Sequence, residues 1–371
     1  MPTVADDAVA PARTPRSTDP GHRMNPRPDV YAVVLAGGLG SRLAPLTDNT
    51  PKPLLPVAGE PVVVHQLRWL AAAGVTRVVL TTSYRAEQFE PALGDGSAYG
   101  VQLDYCHEDQ PLGTGGALAA AADRLAPAPG DALLVLNGDQ LTGHDVRRQL
   151  FLFDEARSER GCVVSIHARP VDDARAYGLL SVDGHDQVVG FEEKPTELVA
   201  GIVNAGTYVL DPACLQEVPR GEPVSFERDV MPGLLRDGAV VTAYVQDAYS
   251  IDVGTPATLV AASRDAVLRH GPALIDPGAT VDPTAAVVGG SWVGPGAQVG
   301  AAAVVDGSIV MTGAEVGAGV VVQQSVIGQR ARVEGPIILQ DNAIGDEAVV
   351  EAGHGPEPGD SVPTGVTLPR P

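Results

Sequence analysis

The chain has 371 residues, 25 of them basic and 46 acidic, for a formal net charge of −21, and 44% of them are apolar. That length allows two or three domains at roughly 150 residues each, and the apolar content excludes wholesale disorder. The acidity excludes a sequence-independent nucleic-acid binder, which needs many cations to replace counterions; the absence of any apolar run of about 18 residues excludes a membrane-spanning helix. Residues 1–28 are rich in Pro, Arg, Asp and Thr, lack an apolar core and read as a disordered tail rather than a signal peptide. Met24 is an alternative start. A short apolar run, Tyr31 to Gly38, reads as a buried parallel strand feeding a glycine loop. A helix is expected over Val62 to Ala73, ending at Gly74. Strands follow at 76–83 and 101–108, a helix around Ala117 to Leu125, and a strand at 131–139. This alternation predicts a doubly wound α/β sheet, whose ligands sit beyond the carboxyl ends of the strands. Residues 160–255 are richer in strand signals and should extend that sheet and form the far wall of the pocket. A helix from Thr255 to Gly271 leads out of it.

From Ala273 the texture changes. Val293, Val310, Ile327 and Ile344 are 17 apart, as are Val299, Val316, Val333 and Val350. Ala297, Ala314, Ala331 and Ala348 form a small-residue column at that spacing, and Ser291, Ser308, Ser325 and Asn342 a polar one. Such columns predict a parallel β-helix of hexapeptide repeats with about four or five turns. The last residues, from 352 on, read as a loosely ordered tail. Cys106, Cys162 and Cys214 are too scattered for a disulfide framework or a zinc site. Together with the missing targeting segment they suggest the cytoplasm.

The chemistry lies in the loops. After the glycines at 37 and 38, Arg42 follows closely, and Lys52 lies ten residues further on between Pro51 and Pro53. Glycines let backbone N–H groups approach phosphate oxygens, and the prolines restrict the backbone so that Lys52 is aimed at one point. The loop is neither a Walker P-loop nor a clean GxGxxG. A dinucleotide oxidoreductase would need an acid at the end of the second strand, and Val78 to Tyr84 offers none. A hexapeptide acyltransferase would need an imidazole base, and no His lies between Ala273 and Val350.

The loop LAGGLGSRLAPLTDNTPKPLLPVAGEP resembles the signature of the sugar-1-phosphate nucleotidyltransferases. The likeness continues through PLGTGGAL, NGD, YGLLSVD, FEEKP, VNAGTYVL and YSIDVGTP. Within that family the chain looks most like mannose-1-phosphate guanylyltransferases. The resemblance implies a Rossmann-like nucleotidyltransferase domain over 29–262, then a linker helix and a left-handed β-helix over 263–351. It implies that a sugar 1-phosphate attacks the α-phosphorus of an NTP and expels pyrophosphate, chemistry that needs positioning and charge neutralisation. By the same resemblance, Arg42 would hold the β- and γ-phosphates and Lys52 the α-phosphoryl charge. Asp139 and Asp252 would hold Mg²⁺, a hard ion that prefers oxygen ligands. Leu35, Ala36, Gly37, Gly38, Gly113 and Thr114 would line the nucleotide. Gly178, Glu193, Lys194 and Asn204 would bind the sugar phosphate, with Glu192 turned away by strand alternation.

By the same resemblance, Glu108 would occupy the family's base-reading position, five residues before Gly113. Guanine presents two adjacent donors, and a carboxylate accepts both where an amide offers one acceptor. GTP is therefore the expected donor, with UTP or ATP as alternatives. Mannose 1-phosphate is the default acceptor. A modified sugar or a cyclitol phosphate such as valienol 1-phosphate, serving antibiotic biosynthesis, is the alternative. A homologue that binds without catalysing is a further one. The β-helix is expected to make the chain a homo-oligomer.

Overall fold

A computed structural model describes residues 29–353 and 355–369. The tail expected over 1–28 lies outside them. The sheet is built first from parallel strands β1 (Val30–Leu35), β2 (Arg77–Thr82), β3 (Gln102–His107) and β4 (Ala132–Asn137), in the order β3-β2-β1-β4. Alternate residues of β1 enter opposite cores. Tyr31 and Val33 pack with Leu118 and Leu133 on one face; Ala32 and Val34 pack with Val63, Leu67 and Leu80 on the other. Strands buried on both faces need apolar residues at every position, which is why VYAVVL shows no alternation. Helix α1 (Val62–Ala73) ends at Gly74 in the left-handed region, φ 89°, as its sequence predicts. Helix α2 (Gly113–Leu125) covers the first face.

Beyond β4 a short strand β5 (Gln140–Thr142) precedes helix α3 (Val146–Arg160). Sequence reasoning did not single out α3, because only Val146, Gln149, Phe153 and Ala156 of its 15 residues are buried. Its boundaries are nevertheless written locally: Asp145 accepts the Arg148 N–H at the start and Gly161 closes the end. The later strands extend the sheet as expected. They are β6 (Cys162–Val171), β7 (Gly178–Val182), β8 (Val188–Glu193), β9 (Gly201–Leu210) and β10 (Val240–Val245). Strand β9 runs antiparallel to β4, β6 and β7, and β8 pairs with β7. Strand β11 (Ser250–Asp252) pairs with β5, outside the main sheet, and α4 (Pro256–Leu268) follows.

The remainder is a β-helix of three parallel sheets, two of six strands and one of four. Val293, Val310, Ile327 and Ile344 are fully buried inside it, as are Ala297, Ala314, Ala331 and Ala348 at its corners. The polar column is a hydrogen-bonded stack. The backbone N–H of Ser308, Ser325 and Asn342 each donates to the hydroxyl of the residue 17 before it, at 3.0–3.1 Å. The tail expected from 352 on is corrected. Ser361–Val362 pairs with Ala343–Ile344, and Thr367–Leu368 with Val349–Val350, adding a rung. The Gly/Pro-rich segment between 351 and 360 stretches the spacing to 18 and masks the continuing column.

The β-helix also packs on the α/β half. Its outward residues Trp292, Ile309, Met311 and Val326 join one apolar cluster with Leu43, Leu46, Leu55 and Val57 from the loop that carries Arg42 and Lys52. The Gln329 amide donates to the Thr50 hydroxyl at 3.4 Å, and the Thr364 hydroxyl to the Pro45 carbonyl at 3.3 Å. Among the described residues no helix is long and apolar enough to cross a membrane.

Candidate active site

The loop after β1 folds back on itself. Ala36 N–H donates to the Thr81 carbonyl at 3.0 Å, continuing the sheet one residue past Leu35, and the Ser83 hydroxyl donates to the Gly37 carbonyl at 2.6 Å. Gly38 has open space where a side chain would be. Gly40 takes a left-handed conformation, φ 65°, and a Cβ there would lie 3.1 Å from both Lys52 Cβ and Thr47 Cγ2. Nothing in the spacing of the motif marks this position out. A short turn, Ser41–Leu43, then buries Leu43 and leaves the Arg42 side chain 70% exposed.

Lys52 is the opposite case. Pro51, Lys52 and Pro53 are all buried. The Lys52 ammonium pairs with Asp139 and lies 3.4 Å from Asp252 Oδ1. Arg42 reaches the other oxygen of Asp252 at 3.8 Å. The two acids, 113 positions apart, meet because β5 and β11 pair immediately beside them. Asp252 stands opposite Gln140, and Val253 N–H donates to the Asp139 carbonyl at 2.9 Å. Gly138 N–H donates to the Leu35 carbonyl, which ties this corner to the end of β1. Burial and the neighbouring Asp139 charge push the Asp252 carboxyl above its ordinary range, against the pull of Lys52 and Arg42. Both acids remain partly open to solvent. Among the described residues no group of three or more His, Cys, Asp or Glu gathers to hold a metal. Two carboxylates on an open edge nevertheless suit an ion such as Mg²⁺, which commonly takes one or two of them and fills its sphere with phosphate oxygens and water.

Glu108 follows β3. Its side chain is buried, and its Oε2 accepts the Leu112 N–H at 3.0 Å. The other oxygen faces the glycine loop, where a side chain on Gly37 would meet it at 3.4 Å. Burial pushes this carboxyl up from its ordinary value, with the Leu112 hydrogen bond opposing. Gly113 and Thr114 open α2. The Thr114 hydroxyl is spent on Glu227 Oε2, at 2.7 Å.

A second group sits on β7 and β8. Gly178 pairs with Glu193, and a Cβ at Gly178 would come within 2.6 Å of the Phe191 ring and 3.1 Å of Glu193 Oε2. Lys194 Nζ lies 3.7 Å from Glu193 Oε1, while Glu192 is exposed and turned away as alternation predicts. Among the described residues no hydrogen bond or ion pair joins Glu193 or Lys194 to the Lys52 cluster. Asn204, on β9, donates from Nδ2 to the Tyr208 hydroxyl at 2.6 Å and accepts Gly206 N–H at 2.9 Å. Gly206 in turn abuts the Asn137 side chain beside the NGD corner. Glu227 and Ser83 lie in no quoted motif, and Tyr208, though inside VNAGTYVL, was not singled out.

Residues 31–267 match the family described as Nucleotidyl transferase, and residues 269–354 match the GMPPB C-terminal domain. The mannose-1-phosphate guanylyltransferase of Mycobacterium tuberculosis is 44% identical over 282 residues, covering 73% of this chain and 77% of that protein. A probable mannose-1-phosphate guanylyltransferase 1 from Oryza sativa is 34% identical, covering 72% of this chain and 74% of its own. Among solved structures, HddC from Yersinia pseudotuberculosis complexed with GMP-PN aligns with a TM-score of 0.53 at 31% identity. It covers 63% of this chain and 98% of HddC.

Proposed function

The chain belongs to the nucleotidyl transferase family and is a nucleotidyltransferase, and from that premise we propose that it makes a GDP-sugar and pyrophosphate from GTP and mannose 1-phosphate. The observation that carries the reading is the meeting of Arg42, Lys52, Asp139 and Asp252 at one corner, beside a glycine loop flanked by buried Glu108. A phosphate oxygen of the acceptor attacks the α-phosphorus, and the bond to the β-phosphate oxygen breaks. No covalent enzyme intermediate is needed, so catalysis rests on positioning and charge.

Arg42, exposed and able to swing, holds the β- and γ-phosphates and the departing pyrophosphate. Lys52, fixed between its prolines, meets the charge that develops on the α-phosphoryl group. Asp139 and Asp252 would hold Mg²⁺, which neutralises phosphate charge when bound. The Glu108 carboxylate, with Oε1 facing the glycine loop, accepts the two adjacent N–H donors of guanine. Lys194 binds the acceptor phosphate, and Glu193 and Asn204 bind ring hydroxyls, with Gly178 leaving room for the ring. The guanylyltransferase names of the relatives support the choice of base and acceptor.

The test is a matrix of four NTPs against hexose and cyclitol 1-phosphates, read as pyrophosphate release. GTP with mannose 1-phosphate should lead. A faster cyclitol phosphate would move the acceptor assignment, and no turnover anywhere would make the chain a binding homologue. We further propose that the chain self-associates through its β-helix, whose four-stranded sheet turns Val304, Val321 and the 64% exposed Ile338 outward in one column. A monomeric mass for the full chain in solution would overturn this.

A further inference from the structure

Glu227 lies outside every motif that pointed to the site. It stands on the turn Phe226–Val230, where Val230 N–H reaches back to the Ser225 carbonyl and the Ser225 hydroxyl caps Arg228 N–H. The strand of chain before it is laced to the nucleotide loop. Val224 N–H donates to the Leu112 carbonyl, Gly115 and Gly116 N–H donate to the Val224 carbonyl, and Phe226 N–H donates to the Thr114 hydroxyl at 2.8 Å. Glu227 then takes hydrogen bonds from two sides. Oε2 accepts the Thr114 hydroxyl at 2.7 Å and the Ser225 hydroxyl at 3.2 Å, and Oε1 accepts the Tyr208 hydroxyl at 3.2 Å.

We propose that Glu227 is a positioning residue that joins the nucleotide loop to the acceptor pocket and fixes the amide of Asn204 so that one of its N–H groups faces the 1-phosphate substrate. The inference rests on the function proposed above, in which Asn204 binds the acceptor.

The argument is one of direction. A carboxylate only accepts, so all three hydroxyls that reach it must donate. The Tyr208 oxygen, having given its proton to Glu227, is left to accept. Asn204 must therefore turn its Nδ2 toward Tyr208, at 2.6 Å, and its Oδ1 toward Gly206 N–H, at 2.9 Å. That spends one of the two amide N–H bonds and leaves the other for a ligand oxygen. Tyr208 is suited to the relay because it is fully buried and its ring packs edge-on against Phe226 at 5.2 Å. Burial first, and the Glu227 charge second, hold its phenol well above its ordinary pKa, so it remains a donor. A glutamine at 227 has one acceptor oxygen and one NH₂. Its oxygen is best kept where Thr114 and Ser225 both donate, so the NH₂ falls to Tyr208, which must then reverse. If Tyr208 reverses, the Asn204 amide flips and its Oδ1 leaves Gly206.

The nucleotide side is less exposed to this change, because the bonds from Gly115 and Gly116 to the Val224 carbonyl hold the loop without Glu227. A split between the two substrates is therefore diagnostic. The experiment uses the full chain, GTP and whichever 1-phosphate the unmodified enzyme turns over, with pyrophosphate release and thermal unfolding measured together. E227Q should raise KM for the 1-phosphate about tenfold, the usual cost of losing a hydrogen bond to a charged group, with KM for GTP changed by less than about threefold. Y208F, which removes the relay oxygen, should give the same rise. The double variant should be no worse than either single one, because all three break one chain. An unchanged 1-phosphate KM in E227Q would overturn the inference while leaving the enzyme's function intact. So would equal losses for both substrates that track a fall in Tm, the mark of a structural tie alone. If the unmodified chain turns over no 1-phosphate at all, the functional reading fails and the inference falls with it.

Discussion

Trp292→Ala tests whether the β-helix supports catalysis. Trp292 is 5% exposed, sits on the second rung, and faces the catalytic half rather than the solenoid interior. Its Nε1 lies 3.0 Å from where a Cβ on Gly59 would be, in the turn that leads into α1. The same cluster contains Leu43 and Leu55, the apolar anchors on either side of Arg42 and Lys52. Truncating a buried Trp typically costs about 3–5 kcal/mol through lost transfer energy and the cavity left behind. At about 2–4 °C per kcal/mol for a domain of 150–250 residues, Tm should fall by roughly 6–20 °C. If about a quarter to a third of that loss is borne by the loop rather than by the whole fold, roughly 0.8–1.7 kcal/mol, KM for GTP rises by a factor of about 3 to 17. Scanning fluorimetry and steady-state pyrophosphate release well below the transition measure the two. Val288→Ala, on the 42% exposed exterior of the same β-helix, is the control and should move neither. A falling Tm with an unchanged GTP KM would show that the solenoid stabilises the molecule without positioning its phosphate loop, and would refute the reasoning.

Asp252→Asn should lower turnover at least about 100-fold, the usual effect of removing a key electrostatic group or metal ligand. The same substitution has a stability signature with the opposite sign. Because the native Asp252 carboxyl has a raised pKa, the folded state binds its proton more tightly than the unfolded state does. Wild-type stability therefore declines as pH rises from the ordinary carboxylate value of about 4 through that raised value. Asn removes this penalty, so the Tm of the variant should match or exceed wild type at neutral pH, and a lower Tm would show that the carboxylate is stabilised by its cations after all. Glu108→Gln should cut the ratio of GTP to UTP turnover by about ten- to a hundredfold, the range for one hydrogen bond to a charged group; an unchanged ratio removes the argument for the base. Amine acylation followed by peptide mass spectrometry should modify Lys194, whose side chain is 57% exposed, and spare Lys52 at 9%. Mannose 1-phosphate should protect Lys194, and labelling of Lys52 in the folded chain would contradict its burial.

The parts legible in the sequence are those whose physics is local or periodic. VYAVVL had to be buried on both faces because it has no polar side, and the columns 17 apart could only be a solenoid. The glycine loop with its two cations was likewise readable, because unusual residues stand close together in the chain. The partnership of Asp139 with Asp252 came from resemblance alone. What brings them together is the three-residue pairing of β5 with β11, too short to leave a pattern. Helix α3 left no apolar stripe, since one buried residue per turn suffices where a helix only covers a sheet edge. Glu227 was invisible for another reason. Its importance lies in which groups donate to it, and hydrogen-bond direction has no sequence signature. The contact between the β-helix and the phosphate loop was hidden in the same way, because Trp292, Ile309 and Met311 read as ordinary strand residues until their outward face is seen to meet Leu43.

The use of cations in this acidic chain makes the division of labour in the site sharper. Of its 25 basic residues only two are lysines, Lys52 and Lys194, and the other 23 are arginines. Everywhere else a guanidinium serves, so the choice of an ammonium at these positions calls for a local reason. At Lys52 the reason is space. The side chain threads between buried prolines and ends between two carboxylates, where a compact point charge can face both. A guanidinium is a planar fork with five N–H donors, and in that slot several would be left without acceptors, each at the cost of an unsatisfied buried donor. Arg42 works under the reverse condition. Its side chain is exposed, so unused donors are solvated, and its fork suits the paired oxygens of a polyphosphate. One cation is thus held still and the other left loose, which is the division the proposed reaction calls for: charge met at a fixed atom, and a flexible, multiply charged group gathered and then released.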